Sequence, residues 1–147
     1  MHVRRVVTGH DASGRATVVI DEVVDYARSR RPNHQAFVAW STDRRPISNE
    51  GNEDGRLVPV TNGTPDSTIF RIVEYAPGVA PRRHRTNSLD YAVVMSGEID
   101  MELDDETVTL RAGDVLVQRG TIHNWVNRGT APCVIAFVLL AAAPMLP

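Results

Sequence analysis

The chain reads Gly78-Val-Ala-Pro-Arg-Arg-His84-Arg-Thr86-Asn-Ser-Leu-Asp90-Tyr-Ala-Val-Val-Met-Ser-Gly97 and continues, after a short interval, with Gly113-Asp-Val-Leu-Val-Gln-Arg119-Gly120-Thr-Ile-His123-Asn-Trp125-Val-Asn127. Each segment opens on a glycine and places one histidine a few residues later. The first segment also carries an acid, Asp90. These spacings predict that both histidines and the acid share one pocket in a small β-barrel.

The residues around these segments alternate between apolar and polar side chains. The clearest case is Glu98-Ile-Asp-Met-Glu-Leu103, where every second residue is apolar. This alternation indicates a strand with one buried face and one face in water. Asp104-Asp105-Glu106 supplies the turn into the next strand. Strands are predicted at residues 3–7, 16–20, 36–40, 68–75, 90–96, 98–103, 107–111, 115–118 and 132–140.

No part of the chain has a sustained helical period. Many short strands at regular spacing need closure to protect their edges. The sequence therefore predicts an all-β fold, an antiparallel β-barrel or jelly roll. A polar, glycine- and proline-rich stretch at residues 43–66 is predicted to be a long loop, and loops of that length often cover a binding mouth or a partner subunit.

The two segments resemble the paired motifs of the cupin superfamily, G-x5-H-x-H-x3/4-E-x6-G and G-x5-P-x-G-x2-H-x3-N. The matching positions are Gly78, His84, Asp90, Gly97, Gly113, His123 and Asn127. The resemblance implies a small single-domain cupin with a double-stranded β-helix. Residues 68–147 would form the barrel core, and residues 1–67 would supply strands and a loop that complete the barrel or a dimer interface.

Three residues depart from the family pattern. Thr86 stands where the family has its second histidine, Asp90 where it has glutamate, and Arg119 where it has proline. The family holds a divalent metal with three histidines and the glutamate. The resemblance thus implies either no metal or a weakly held one, such as Fe, Mn, Zn or Ni, on His84, Asp90 and His123.

The same three residues also form an acid–base cluster. A histidine near neutral pKa beside a carboxylate can move a proton on or off a bound organic molecule. We expect a small enzyme that uses His84, Asp90 and His123 for dehydration, isomerisation, cyclisation or decarboxylation. The alternatives are a metal-dependent non-haem oxygenase of cupin type, because two imidazoles and a carboxylate make a facial triad, and a binding protein without turnover.

Three further residues are predicted to contact the small-molecule ligand. Thr86 has the same strand parity as His84 and would share its face. Trp125 follows His123 and would line the mouth or pack in the core. Arg119 would bind a substrate carboxylate or enolate through its planar fork, unless it forms a salt bridge at the rim.

Composition excludes several classes of partner. The 147 residues suit one domain, and a formal net charge of −2 with scattered arginines gives no basic stripe for nucleic acid. The arginine-rich run at residues 28–31 is interpreted as a solvated loop.

The single cysteine, Cys133, is interpreted as a buried thiol in a reducing compartment. No apolar stretch is long enough for a membrane span or a signal peptide, so we expect a cytoplasmic protein.

The N-terminal strands are predicted to drive homodimerisation. Residues 3–7 and 16–20 would otherwise present unpaired strand edges, and two-fold association removes such edges.

Overall fold

The computed structural model describes residues 2–145, and its regular elements are β-strands apart from one 3-10 turn at Gly55–Leu57. This confirms the predicted all-β class. The strands are β1 His2–His10, β2 Ala16–Asp25, β3 Ala27–Arg28, β4 His34–Thr42, β5 Thr68–Tyr75, β6 Ser88–Ser96, β7 Glu98–Glu102, β8 Thr107–Arg111, β9 Val115–Arg119, β10 Asn124–Val126 and β11 Cys133–Ala141.

The largest sheet is six-stranded and has the order β3-β4-β5-β11-β6-β9, with every pair antiparallel. Its register places one residue from each of five strands in a row across the inner face. That row is Val38, Arg71, Phe137, Ala92 and Leu116. Because side chains alternate along a strand, every second residue on either side of this row also points inward, except where a bulge after Val38 shifts the register of β4.

A three-stranded sheet, β10-β7-β8, covers the inner face of the larger sheet. The two sheets share one apolar cluster, to which the smaller sheet gives Ile99 and Trp125 and the larger sheet gives Val73 and Ile135. Ile99 and Ile135 are less than 2% exposed, and burial of such a side chain contributes about 1.5–3 kcal/mol. The alternating pattern of residues 98–103 therefore marks the strand that closes the core.

The link between the two sheets depends on Gly97, which joins β6 to β7. Its φ of +78° lies in the left-handed region, and a Cβ atom there would lie 2.4 Å from the carbonyl oxygen of Pro132. No side chain fits at that distance, so this motif glycine is required for the close approach of β11 to the turn.

The N-terminal hairpin of β1 and β2 packs on the outer face of the large sheet. A second apolar cluster forms there, with Phe37 and Ile72 buried and Val3 and Val24 packed against them. Arg5 is 6% exposed and donates to the carbonyl oxygen of Ala39 (3.1 Å). Its guanidinium also forms ion pairs with Glu22 and Asp54, both with contacts of 2.6 Å. Arg5 thus ties the hairpin to β4 and to the 3-10 turn.

We predict that Arg5→Ala lowers the free energy of unfolding by about 2–3 kcal/mol, because it removes the charge-assisted hydrogen bonds to Asp54 and Glu22. Arg4→Ala is the matched control on the same strand. Arg4 pairs with Asp21 in solvent, so its loss should cost at most about 1 kcal/mol. Urea denaturation measures both values, and equal losses would contradict the anchoring role of Arg5.

Dimerisation through the N-terminal strands stays a prediction. Within residues 2–145, β1 and β2 pair only with each other, so each keeps one free edge, and Val18 and Val23 of β2 are 53% and 66% exposed. A native mass at micromolar concentration should be twice the 16.2 kDa of one chain. Val23→Lys should weaken the dimer by placing a charge in the interface, while Val115→Lys on β9 should not. A monomer mass for the unaltered protein would end this prediction.

Among residues 2–145, no helix is long and apolar enough to cross a membrane.

Candidate active site

The site is a small cavity between the two sheets, about 50 Å³ in volume, lined in part by His84, His123, Asp90 and Gln118. A wider depression of about 430 Å³ lies outside it, and both spaces are lined by Arg31, His34 and Arg82. The inner cavity has room for a few atoms of a ligand, and the outer depression has room for the rest of a small organic molecule.

His84 and His123 face each other at the bottom of this cavity. They form an isolated antiparallel bridge in which His84 N donates to His123 O (3.1 Å) and His123 N donates to His84 O (3.0 Å). Their ring centroids lie 4.7 Å apart. The two sequence motifs therefore converge at a backbone pair, which holds both imidazoles side by side.

Both rings are oriented by hydrogen bonds to nearby backbone carbonyls. His84 Nδ1 lies 3.0 Å from Arg82 O, and His123 Nδ1 lies 3.0 Å from Thr121 O. A carbonyl only accepts, so each Nδ1 carries a proton and each neutral ring keeps its lone pair on Nε2. Within residues 2–145 neither Nε2 atom has a hydrogen-bond partner. Two free basic nitrogens are thus left in the cavity.

Burial lowers the pKa of both imidazoles. The backbone hydrogen bonds to Arg82 and Thr121 oppose this shift, and Asp90 adds a further opposing effect on His123. His123 lowers the pKa of His84 because two cations at this distance repel. Both rings are therefore neutral near pH 7, and the pair favours at most one bound proton.

Asp90 lies on β6 and is 4% exposed. One carboxylate oxygen accepts from Ser88 Oγ (2.5 Å), and the other accepts from Gln118 Nε2 (2.8 Å). The Thr86 and Ser88 hydroxyls are 2.7 Å apart, so the network extends toward the histidines. Gln118 Oε1 is buried and has no hydrogen-bond partner. The carboxylate is held in place, and the amide offers an unused acceptor.

The three predicted metal ligands do not form a ready site. Among residues 2–145, no group of three or more His, Cys, Asp or Glu side chains is placed to hold a metal ion. Two imidazole nitrogens are available, but both oxygens of Asp90 are engaged by Ser88 and Gln118. Aspartate is also one methylene shorter than the family's glutamate. The residues as arranged do not fit a three-ligand metal centre.

The structure brings two of the three predicted ligand-contacting residues to the cavity. Thr86 and Trp125 line it, and Trp125 is 3% exposed, with its ring 5.8 Å from that of His123. Arg119 is exposed and lies outside the lining of the cavity, so its contact with a ligand stays a prediction. It follows Gln118 on β9, and because Gln118 points inward, strand alternation turns Arg119 outward.

Several residues of the cavity were missed or misinterpreted from the sequence. Arg31 was assigned to a solvated loop, but it is partly buried and lines the site. Arg71 shares strand parity with the buried Val73 and Tyr75, a signal that marked it as inward-facing. Gln118 was not singled out, and no motif position pointed to it. The remaining lining residues without a sequence prediction are His34, Tyr75, Arg82 and Phe137.

Comparison with known proteins places the chain in a family. The family described as Cupin domain matches residues 71–139. The chain is 36% identical over 146 residues to the cupin-domain-containing oxidoreductase fogC of Aspergillus ruber, across 94% of this chain and 72% of that protein. The chain belongs to the cupin family. This cupin is also 37% identical over 150 residues to Phomopsin biosynthesis cluster protein C′ of Diaporthe leptostromiformis, across 96% of this chain and 79% of that protein.

A solved structure supports the fold of this cupin. KdgF from Halomonas sp. superposes with a TM-score of 0.53 at 18% identity, over 80% of this chain and 88% of that one. At that identity the likeness extends to the fold alone. The names of the relatives include oxidoreductases and biosynthesis-cluster proteins. The predicted lyase or isomerase class has no counterpart in these names.

We predict that the free energy of unfolding of this cupin decreases as the pH is lowered, in part because of His34. Burial, aided by Arg31, Arg71 and Arg82, lowers the pKa of His34 to about 4. Between an unfolded pKa near 6.5 and this value, the unfolded chain binds a proton that the folded chain rejects. The free energy of unfolding contributed by neutral His34 is therefore present above about pH 6.5 and lost as pH falls toward 4.

Urea denaturation at pH 7, 5.5 and 4.5 measures this dependence. His34→Gln should flatten the loss of stability relative to the unaltered protein. His10→Gln, at an exposed position on β1, serves as the control and should keep the full slope. An unchanged slope in His34→Gln would contradict the assignment.

Proposed function

We propose that this cupin is an enzyme that transfers a proton on a small organic molecule, with His84 and His123 as the acid–base pair. The observation that carries the proposal is the pair of free Nε2 atoms in one cavity, with both Nδ1 protons fixed on backbone carbonyls. Such an arrangement offers one nitrogen to take a proton and a second to accept a hydrogen bond from the same molecule.

His123 is the better proton acceptor of the two. Asp90 raises its pKa through charge, and this carboxylate is buried and fixed, so it stabilises an imidazolium at His123. Once His123 is protonated, His84 stays neutral because of repulsion between neighbouring cations. Its Nε2 lone pair then accepts a hydrogen bond from a substrate hydroxyl.

The proton balance of the proposed reaction is simple. His123 Nε2 takes a proton from a substrate C–H or O–H, and the electron pair stays on the substrate. The proton then returns to another atom of the same molecule in isomerisation or cyclisation, to a departing hydroxide in dehydration, or to the carbanion left by loss of carbon dioxide in decarboxylation. None of these steps needs an oxidant or a cofactor.

We predict that His84→Ala, His123→Ala and Asp90→Asn each slow proton transfer by at least about a hundredfold, the usual scale for a positioned acid or base. NMR detects the transfer as deuterium uptake from heavy water into carbon positions of hydroxy and keto acids. Tyr91→Phe is the matched control, since Tyr91 neighbours Asp90 on β6 but is 48% exposed on the outer face. EDTA should leave the rate nearly unchanged.

The second candidate is a metal-dependent oxidoreductase of cupin type. The oxidoreductase name of a relative that is 36% identical over 94% of this chain favours it. It requires stoichiometric metal in protein purified without chelator, oxygen uptake on substrate addition, and loss of activity in EDTA. Those results would overturn the proton-transfer proposal, whereas metal-free protein with chelator-resistant exchange would support it.

A further inference from the structure

Three arginines converge on the cavity that holds the histidines. Arg31 comes from the β3–β4 turn, Arg71 from the inner face of β5, and Arg82 from the loop before His84. None of them forms an ion pair with a carboxylate among residues 2–145. The arginines that do form ion pairs are Arg4, Arg5, Arg44, Arg83, Arg111 and Arg128.

Two of the three pocket arginines have buried donors without a partner. These atoms are one terminal nitrogen of Arg31, Nη2, and the Nε of Arg71. A buried N–H group without an acceptor costs about 1–3 kcal/mol, more when it is charged. Few native side chains carry this cost, so such groups call for an acceptor that arrives with a ligand.

The carboxylate that lines the cavity does not accept hydrogen bonds from these arginines. Asp90 is the one acid that lines the cavity, and its oxygens accept from Ser88 and Gln118 instead. Three guanidinium groups therefore face a single carboxylate that is already engaged. The whole chain has a formal net charge of −2, so the cavity is a local positive site on an acidic protein and attracts anions.

Aromatic rings position the guanidinium groups. The Arg71 guanidinium carbon lies 5.8 Å from the ring centroid of Phe137, and that of Arg31 lies 5.9 Å from the ring centroid of Tyr75. Arg31 Nε also donates to Ala80 O (2.8 Å). Stacked and tethered guanidinium groups lose little freedom when they bind a planar anion with two oxygens, which suits a carboxylate.

The cavity is also lined by acceptors without a hydrogen-bond partner among residues 2–145. Gln118 Oε1 is buried without a partner, and His84 and His123 each have a free Nε2. A ligand that satisfies both sides carries an anion for the arginines and an O–H donor for these acceptors. The groups must be close together, because the inner cavity is about 50 Å³.

We propose that Arg31, Arg71 and Arg82 bind the carboxylate of a small hydroxycarboxylic acid and thereby present its hydroxyl or neighbouring carbon to His84 and His123. This inference names the substrate class of the proposed function and rests on it. Arg71 is the most important of the three, because β5 places it directly opposite Phe137 of β11, which also lines the cavity.

Thermal shift and calorimetric titration test the inference with defined probes. The probes are glycolate, malate, benzoate and salicylate, each paired with its neutral amide, together with inorganic phosphate. At least one hydroxycarboxylate should bind in a saturable way, while its amide and the carboxylate without a hydroxyl should bind more weakly. Tighter binding of phosphate than of every carboxylate, or no binding by any carboxylate, would overturn the proposal.

Substitution of single arginines identifies the residues that bind the hydroxycarboxylate. Arg71→Met keeps an unbranched apolar side chain and removes the guanidinium group, so it should lower the affinity for the hydroxycarboxylate by at least about tenfold. Arg31→Met and Arg82→Met should act in the same direction. Arg119→Met is the matched control, because Arg119 is exposed outside the cavity, and it should leave the affinity unchanged. Equal affinity in Arg71→Met and Arg119→Met would refute the inference.

The same variants separate this inference from the proton-transfer proposal. His84→Ala should weaken hydroxycarboxylate binding less than Arg71→Met does, because it removes one hydrogen-bond acceptor and keeps the arginines, while deuterium exchange is lost. Arg71→Met should raise KM more than it lowers kcat. Specific binding that depends on Arg71 without any exchange would support the arginine site and reject proton transfer. Exchange with an unchanged KM in Arg71→Met would reject the arginine site and keep proton transfer.

Discussion

The architecture of this cupin depends on the register of β11, which pairs with β5 on one side and β6 on the other. This pairing decides which alternate residues of three strands point into the molecule. A slip of one residue would exchange the two faces of a strand. It would move Arg71 or Asp90 to the outer face and take the buried Val73 or Ala92 out of the core between the two sheets. The neighbouring β6 specifies the register, because its buried residues Asp90, Ala92 and Val94 alternate with the exposed Tyr91, Val93 and Met95.

Electrostatics in the cavity follow from this arrangement. The fold brings one fixed carboxylate, two imidazoles and three arginines to the same cavity, and burial lowers the pKa of both imidazoles. Both histidines are kept neutral, so under the proposed function they would act as bases and would not compete with the arginines for an anion. The guanidinium groups would then supply permanent positive charge, and the imidazoles would exchange protons.

The sequence revealed the strands and the meeting of His84 with His123, because alternation and motif spacing are local signals. It did not reveal which side of β9 faces the cavity. In the second motif, Gly120 comes one residue earlier than in the family pattern. Only the pairing of Asp90 on β6 with Gln118 on β9 shows that Gln118, not Arg119, points inward. The place of Arg31 in the cavity could not be predicted for another reason. Its hydrogen bond to Ala80 joins residues that are 49 positions apart, and no local sequence pattern encodes such a contact.

The segment that matches the family begins at residue 71, yet Arg31 and His34 lie well before it. The wall that they build therefore lies before that segment, on the turn that joins β3 to β4 and on the first residue of β4, which pairs with Tyr75 of β5. The bridge between His84 and His123 is made by other segments, so a change in the composition of this turn would alter the wall and leave the bridge in place. Under the proposed function, the reactive pair and the choice of ligand would therefore be encoded in separate parts of the chain.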